Sequence, residues 1–476
     1  MLRTRKDEKV ADVLIYGGTW NGDSKGKHIF EFNAATGVEI KNITLENAKT
    51  NGVMISEGSE CTMENVVVKK SGNNGVQVTA KSTANIKNTT ISENGKFGIG
   101  VDSESKVTLN NSSVISNTEN GVSASNKSTI TAEGGKANSN GGHGISVSGG
   151  CSLDVTKMEI SDNHEYGISV ADSKLNANAT GTQSNTITKN YWSGISATGE
   201  DTSIIVNGNT ITGNGTHPKE TANGAVGHGV GVSESATATI SNNIITKNAE
   251  CGISVFDGGD ATIKANTISE NGRHGIGARK KVTLKLSGKN VFEKNEYNGI
   301  LVSDEATATI SDATIKESKG IGLSVVDKST VTLSNCTIID SAESNISITR
   351  GDEKKTGSKV TLKDGNIISA SKNGHGIVAS NKNTIEITGT KNEIKSNKLS
   401  GISISGNATL KISKEVNVEN NEQNGIYVNG SNATLNYVVV KNNSKYGIGA
   451  DEKATVTISD ATVEGNKSYG ISIREE

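Results

Sequence analysis

Along this chain of 476 residues, a glycine followed by Ile, Val or Leu, with a second apolar residue two positions on, returns at a fixed interval. The series runs Gly52, Gly75, Gly98, Gly121, Gly144, Gly167, Gly194, Gly229, Gly252, Gly275, Gly299, Gly322, Asn345, Gly376, Gly401, Gly425, Gly447 and Gly470. Every step from Gly52 to Gly167 is 23 residues, and Ile29 in "HIFEF" holds the same place one step earlier. Further apolar positions fall nine, eleven and sixteen residues after the glycine, as Leu153, Val155 and Ile160 do after Gly144. Such spacing predicts three short strands per unit, each alternating between inside and outside.

An Asn stands four residues before most of these glycines, in the strict repeats nineteen after the one preceding: Asn94, Asn117, Asn140, Asn163, Asn190, Asn248, Asn271, Asn295, Asn397, Asn421, Asn443 and Asn466. Asn tolerates left-handed turns, and its amide can bond to copies above and below. One such unit cannot bury its own apolar face, so units must stack and share a core. The expected fold is all-β, a single parallel β-helix (solenoid) of about 19 coils, mostly 23 residues each, with three short strands per coil. A charged segment, residues 1–11, precedes a solenoid over 12–476, with longer turns near 172–186, 213–228 and 349–359.

Composition changes this picture little. Aromatics are 3% and there is one proline, but a disordered chain would not space its Ile and Val at fixed intervals. The 49 basic and 51 acidic residues are spread along the chain, so there is no footprint for nucleic acid. No apolar run approaches the roughly 18 residues of a membrane span, and the start lacks the apolar core of a signal peptide. Membrane insertion is not expected. Cys61, Cys151, Cys251 and Cys336 lie far apart, matching neither a zinc site nor a disulfide framework. The chain stops partway through a coil, which reads as a fragment or a module with flanking domains, or as an end open to end-to-end association.

The repeat, with "GGTWNGD" from Gly17 to Asp23, resembles the right-handed parallel β-helix superfamily of pectate lyases, polygalacturonases and alginate epimerases. It is most similar to proteins made of a simple Asn-Gly-Ile repeat. The resemblance covers residues 12 to 475 and implies right-handed winding and an extracellular or cell-surface, bacterial-type protein. Gly142-His143-Gly144 looks like the catalytic histidine signature of polygalacturonases, yet it recurs at Gly227-His228-Gly229 and Gly374-His375-Gly376. The Asn-Thr-Asp, Asp-Asp and Arg-Ile-Lys strings of that family are absent, so hydrolysis by paired carboxylates is disfavoured. His28, His143, His228, His274 and His375 then read as turn residues stacking on their neighbours.

The position two after the glycine should face outward, and from Gly100 to Gly277 it is always Gly or Ser. That predicts a shallow strip, flanked by turns that supply Tyr166, Tyr191, Trp192, His217, Arg273 and Tyr297 as candidate substrate-binding residues. The 35-residue interval from Gly194 to Gly229 brings His217 and Pro218 beside Trp192 and His228. Rigid scaffolds commonly carry function on such turns.

Three readings stand side by side. The first is recognition of a polysaccharide along this strip. The second is a uronate lyase or C5-epimerase with His228, His274 and Arg279 as catalytic candidates, and with Glu234, Asp257 and Asp260 as ligands for an optional Ca²⁺. The epimerase-type Asp-Pro-His is absent. The third is a non-catalytic stalk or adhesin. No cofactor is required by the first or third. Arg350-Gly351-Asp352 reads as loop composition.

Overall fold

The computed structural model describes residues 2–4, 10–25, 27–179, 181, 183–217, 220–221, 224–225, 227–349 and 357–474. Pro218 and Arg350-Gly351-Asp352 lie outside the described residues. The chain is an all-β parallel solenoid of about 19 turns, about 23 residues apart, as the repeat predicts. It divides into two compact units, Met1–Thr239 with Asn248–Glu250, and Ile240–Lys247 with Cys251–Glu476.

In the first unit the strand after each repeat glycine pairs in parallel with its equivalent one repeat on. Ile145 faces Ile168, Ile168 faces Ile195, and Ile195 faces Val230. Because each strand alternates, Ile145 and Val147 point into the core while Ser146 points away. The second and third strands of each coil stack the same way, Leu153 on Leu175 and Ile160 on Ile187. Burying each such Ile, Leu or Val contributes about 1.5–3 kcal/mol, so the stacked columns supply the driving force. Leu2–Arg3 already pairs in parallel with Phe30–Glu31, and Val10–Ala11 with Ala35–Thr36, so pairing begins within the charged segment. In the "GGTWNGD" stretch Gly17 and Gly18 turn the chain at φ of 73° and 87°, which sets Trp20 edge-on to Phe30 at 5.0 Å. The long interval before Gly229 contains an antiparallel ribbon, Glu220–Thr221 with Gly224–Ala225.

The second unit repeats the plan from Ile253–Phe256 to Ile471–Ile473. Ile253 faces Ile276, Ile276 faces Ile300, and Ile426 faces Ile448. Cys61, Cys151, Cys251 and Cys336 are buried and are not joined in disulfides.

The corners are held from inside by side-chain ladders. In the first unit the Asn163 carboxamide oxygen accepts the Asn140 backbone N–H at 3.1 Å and its amide N–H at 3.0 Å. Its own amide donates to Asn190 at 2.9 Å and to the Ala137 carbonyl at 2.8 Å. Asn214 continues the ladder, accepting from Asn190 and donating to Asn248 at 3.0 Å. The long insertion after Asn214 hides its register in the sequence. A second ladder, Asn185 to Asn209 and in the other unit Asn243 to Asn266 to Asn290, lines another corner. At the third corner, Ser82, Ser105 and Ser128 each accept a backbone N–H from the coil before.

The repeat glycine follows from the ladder. A Cβ on Gly144 would stand 2.8 Å from the Asn163 amide nitrogen and 2.7 Å from the Gly167 carbonyl oxygen, so no side chain fits. Asn345 is the exception, where Ser318, Ser341 and Ser371 replace the ladder Asn. Its amide donates to Asn397 at 3.0 Å and to the Ser369 carbonyl at 2.8 Å, restoring the missing bonds.

Replacing Asn163 by Ala strands the Asn140 donors in a dry corner. Leaving such groups unpaired costs about 1–3 kcal/mol each, so a loss of about 2–4 kcal/mol is expected in urea unfolding. A change below about 0.5 kcal/mol would mean that the ladder does not carry register.

Candidate functional site

The turn before each repeat glycine carries the chemistry-bearing residues, and backbone bonds set their order. In the first unit the Glu165 N–H bonds the Gly142 carbonyl, and the Trp192 N–H bonds the Glu165 carbonyl at 3.1 Å. Beside this row, the Tyr191 N–H bonds the Asn163 carbonyl and the His217 N–H bonds the Tyr191 carbonyl.

Two columns of rings result. His164 stacks on Tyr191 at 4.4 Å and 11°, and Tyr191 on His217 at 4.0 Å and 30°. Next to them His143 stacks on Tyr166 at 5.4 Å, and Tyr166 meets Trp192 edge to face at 5.1 Å. His164 and His217 are exposed, while Tyr166, Tyr191 and Trp192 are half-buried. Face-to-face stacking spends the ring faces on neighbours, leaving edges, the phenol groups and the imidazole nitrogens toward solvent. His164, which the sequence places in the turn flanking the strip three before a repeat glycine as it does Tyr191, joins the substrate-binding candidates by its stacking.

The residue just before the glycine has a structural duty. Its side chain accepts the backbone N–H of the corresponding residue one coil on. Asn51 accepts from Asn74, Asn74 from Phe97, Asn120 from His143, and Ser193 from His228 at 3.0 Å. His143 Nδ1 accepts from Tyr166 at 3.3 Å, and in the second unit His274 Nδ1 accepts from Asn298 at 3.3 Å and His375 Nδ1 from Ser400 at 3.2 Å. These histidines are therefore backbone acceptors interchangeable with Asn. Since His143 Nδ1 accepts, its proton is on Nε2, which lies 3.1 Å from a Glu165 carboxylate oxygen. Burial lowers the His143 pKa to about 4, so this contact is a neutral imidazole donating to a carboxylate rather than an ion pair. Burial likewise lowers His28 and His375.

The strip of Gly and Ser differs from the open floor expected. Gly100, Ser254 and Gly277 are buried and the rest half-buried. A Cβ on Gly231 would meet the His228 ring at 3.9 Å, and one on Gly277 the His274 ring at the same distance. At these two coils the ring before the glycine lies within van der Waals reach of the position two after it, and at Gly277 the Cys251 sulfur is closer still, at 3.3 Å.

His228 is 4% and His274 7% exposed. In the second unit His274 meets Tyr297 edge to face at 6.0 Å, with Tyr297 exposed and Arg273 and Arg279 half-buried. Glu234 in the first unit and Asp257 in the second are exposed left-handed corner residues, with φ of 54° and 53°. An Asp260 carboxylate oxygen accepts the Thr283 N–H at 3.2 Å. Among the described residues no group of three or more His, Cys, Asp or Glu is arranged to hold a metal ion.

A model described as a right handed beta helix region matches residues 28–183, 257–416 and 414–476. One for a periplasmic copper-binding protein, NosD, matches 152–287. No curated protein matches the chain. A mutant of the periplasmic alginate epimerase AlgG is 13% identical over 75% of this chain and 75% of its own, with a TM-score of 0.35. The mannuronan C-5 epimerase AlgE4 A-module of Azotobacter vinelandii is 12% identical over 90% and 91%, with a TM-score of 0.33. The Streptococcus pneumoniae surface adhesin PfbA is 10% identical over 86% and 91%, with a TM-score of 0.17.

Acid should weaken the fold through His143. An unfolded His takes its proton near pH 6.5 and the folded one only near 4, so the unfolded state binds more protons between these values. The contribution is complete above pH 6.5 and lost as pH falls toward 4, amounting to about 2 kcal/mol by pH 5. In His143→Asn, which keeps an acceptor, the difference in urea unfolding free energy between pH 7 and 5 should shrink by that amount. An unchanged pH dependence would contradict the assignment.

Proposed function

Since this chain belongs to the right-handed β-helix family, we propose that it recognises a polysaccharide, held against the stacked rings of the first unit's turns. The observation that carries this reading is the double column of His164, Tyr191 and His217 beside His143, Tyr166 and Trp192. Parallel strands repeat at about 4.8 Å, so a polymer running along the column meets a similar edge, phenol or imidazole at each coil. Each contact is weak, and linked contacts add as the polymer engages successive coils. The rings are rigid and already ordered by stacking, so little side-chain entropy is lost on binding.

A location outside the cytoplasm goes with this reading, supported by the match of residues 152–287 to a model named for a periplasmic protein. The lyase or epimerase alternative assigns proton transfer to His228, His274 and Arg279, and an optional calcium to Glu234, Asp257 and Asp260. A base must come within hydrogen-bond reach of the substrate. The burial of both imidazoles and the engagement of His274 Nδ1 therefore favour recognition over catalysis.

The test replaces the half-buried Tyr191 ring and the exposed His217 ring. Tyr191→Ala with His217→Ala should weaken binding to a bound polysaccharide by at least about tenfold, with the urea unfolding free energy within about 1 kcal/mol of the parent. Unchanged affinity in a folded variant would overturn the reading. Ultraviolet absorbance from unsaturated products during the same incubation would favour the lyase instead.

A further inference from the structure

The ring columns of the first unit are bounded at both ends. Their members fall on four consecutive coils: His143, then His164 with Tyr166, then Tyr191 with Trp192, then His217. On the coil before them the corresponding residues are Thr118, Glu119 and Asn120, and on the coil after them Ala249 and Glu250. His228, on the coil of His217, is buried. One end is set by the backbone. A Cβ on Gly141, which holds the place of His164 one coil earlier, would stand 2.0 Å from the Thr118 carbonyl oxygen, so no side chain fits there. At the other end Ala249 offers only a methyl group. Between these limits the rings of adjacent coils stand 4.0 to 5.4 Å apart. That brackets the roughly 4.8 Å spacing of neighbouring parallel strands.

We infer that the ring columns hold an internal run of about four sugars of an extended, ribbon-like glycan, one sugar to each coil. This rests on the polysaccharide-binding reading above and sets the conformation and length of its ligand. In an extended chain each sugar advances by about the spacing of one coil, so successive sugars keep step with successive rings. Each sugar's hydroxyls then meet a phenol or imidazole edge in the same way. In a helically wound chain each sugar advances by less, and sugars and rings fall out of step within a few coils. Thr118 and Ala249 are both exposed, so a longer polymer runs on past the columns at either end, and neither chain end is read. Sugars beyond the last ring meet no further ring and add little affinity.

Titration calorimetry of the full chain tests the inference, with β-1,4-linked gluco-, manno- and mannurono-oligosaccharides of two to six sugars as extended chains and maltohexaose as a wound one. In an extended series that binds, affinity should climb by about threefold or more with each sugar up to about four, then change by less than about threefold. Its hexasaccharide should bind at least about tenfold more tightly than maltohexaose, and its methyl glycosides should bind as well as the free sugars. His217→Ala, which removes the last ring, should move the plateau to about three sugars. Affinity that keeps rising through six sugars, maltohexaose bound as tightly as the extended chain, loss of binding on methylation, or a plateau that His217→Ala leaves in place would each overturn the inference and leave polysaccharide recognition standing. Silence toward every sugar, with urea unfolding showing a folded protein, would overturn recognition itself and the inference with it.

Discussion

The buried asparagine amide is the constraint on which the rest depends. A parallel solenoid has a corner at every change of direction, and there the chain leaves the sheet and loses its ladder partners. A buried backbone N–H left unpaired costs about as much as one core methyl group or more. Asn163 meets this by accepting two N–H groups from the coil before while donating to the coil after and to a core-facing carbonyl. The amide has both donors and acceptors, so identical residues can bond head to tail without limit. A Ser in the same column does less: the hydroxyls of Ser71, Ser318 and Ser341 are buried without a hydrogen-bond partner. Asn345 compensates where the Ser residues are consecutive.

From this follow the glycine, the repeat length and the placement of the rings. The ladder amide occupies the space that a side chain on the repeat glycine would need. Keeping the amides in register requires coils of nearly constant length, with insertions leaving outside the ladder, as the Glu220–Ala225 ribbon does between Asn214 and Asn248. With the amides fixed, the residues one to three after each Asn stand over their counterparts. His164 and Tyr191, each one residue after its Asn, therefore stack without a dedicated pocket, while His217, three after Asn214, joins them through its backbone bond to the Tyr191 carbonyl. The site is a by-product of register, sited where the turn residues happen to be aromatic.

Much of the fold is legible in the sequence because the repeat writes each structural need as a column. Twelve ladder asparagines, the in-facing Ile and Val columns and the repeat glycine stand in register by counting alone. Asn214 escapes because the insertion that follows it shifts the count. The second ladder through Asn185, Asn209, Asn243 and Asn266 escapes because Thr and Ser take its place in other coils, as at Thr89 and Ser112. The histidines look like chemistry by residue type. Their duty, accepting an N–H through Nδ1, depends on a partner one coil away. The strip of Gly and Ser looks open in the sequence because the side chains that lie beside it, His228 at Gly231 and Cys251 and His274 at Gly277, take positions that spacing does not record.

The central claim is that a polysaccharide lies against the ring columns, and the two tryptophans of the chain offer a direct test. Trp192 stands at the Tyr166 ring, while Trp20 covers Phe30 at the start of the first unit. In a protein carrying nitrogen-15 in its indoles, titration with a neutral hexasaccharide should move the Trp192 indole N–H resonance and leave that of Trp20 in place, with Trp192→Phe identifying the peak. A saturating glycan that leaves the Trp192 resonance unmoved would contradict the account.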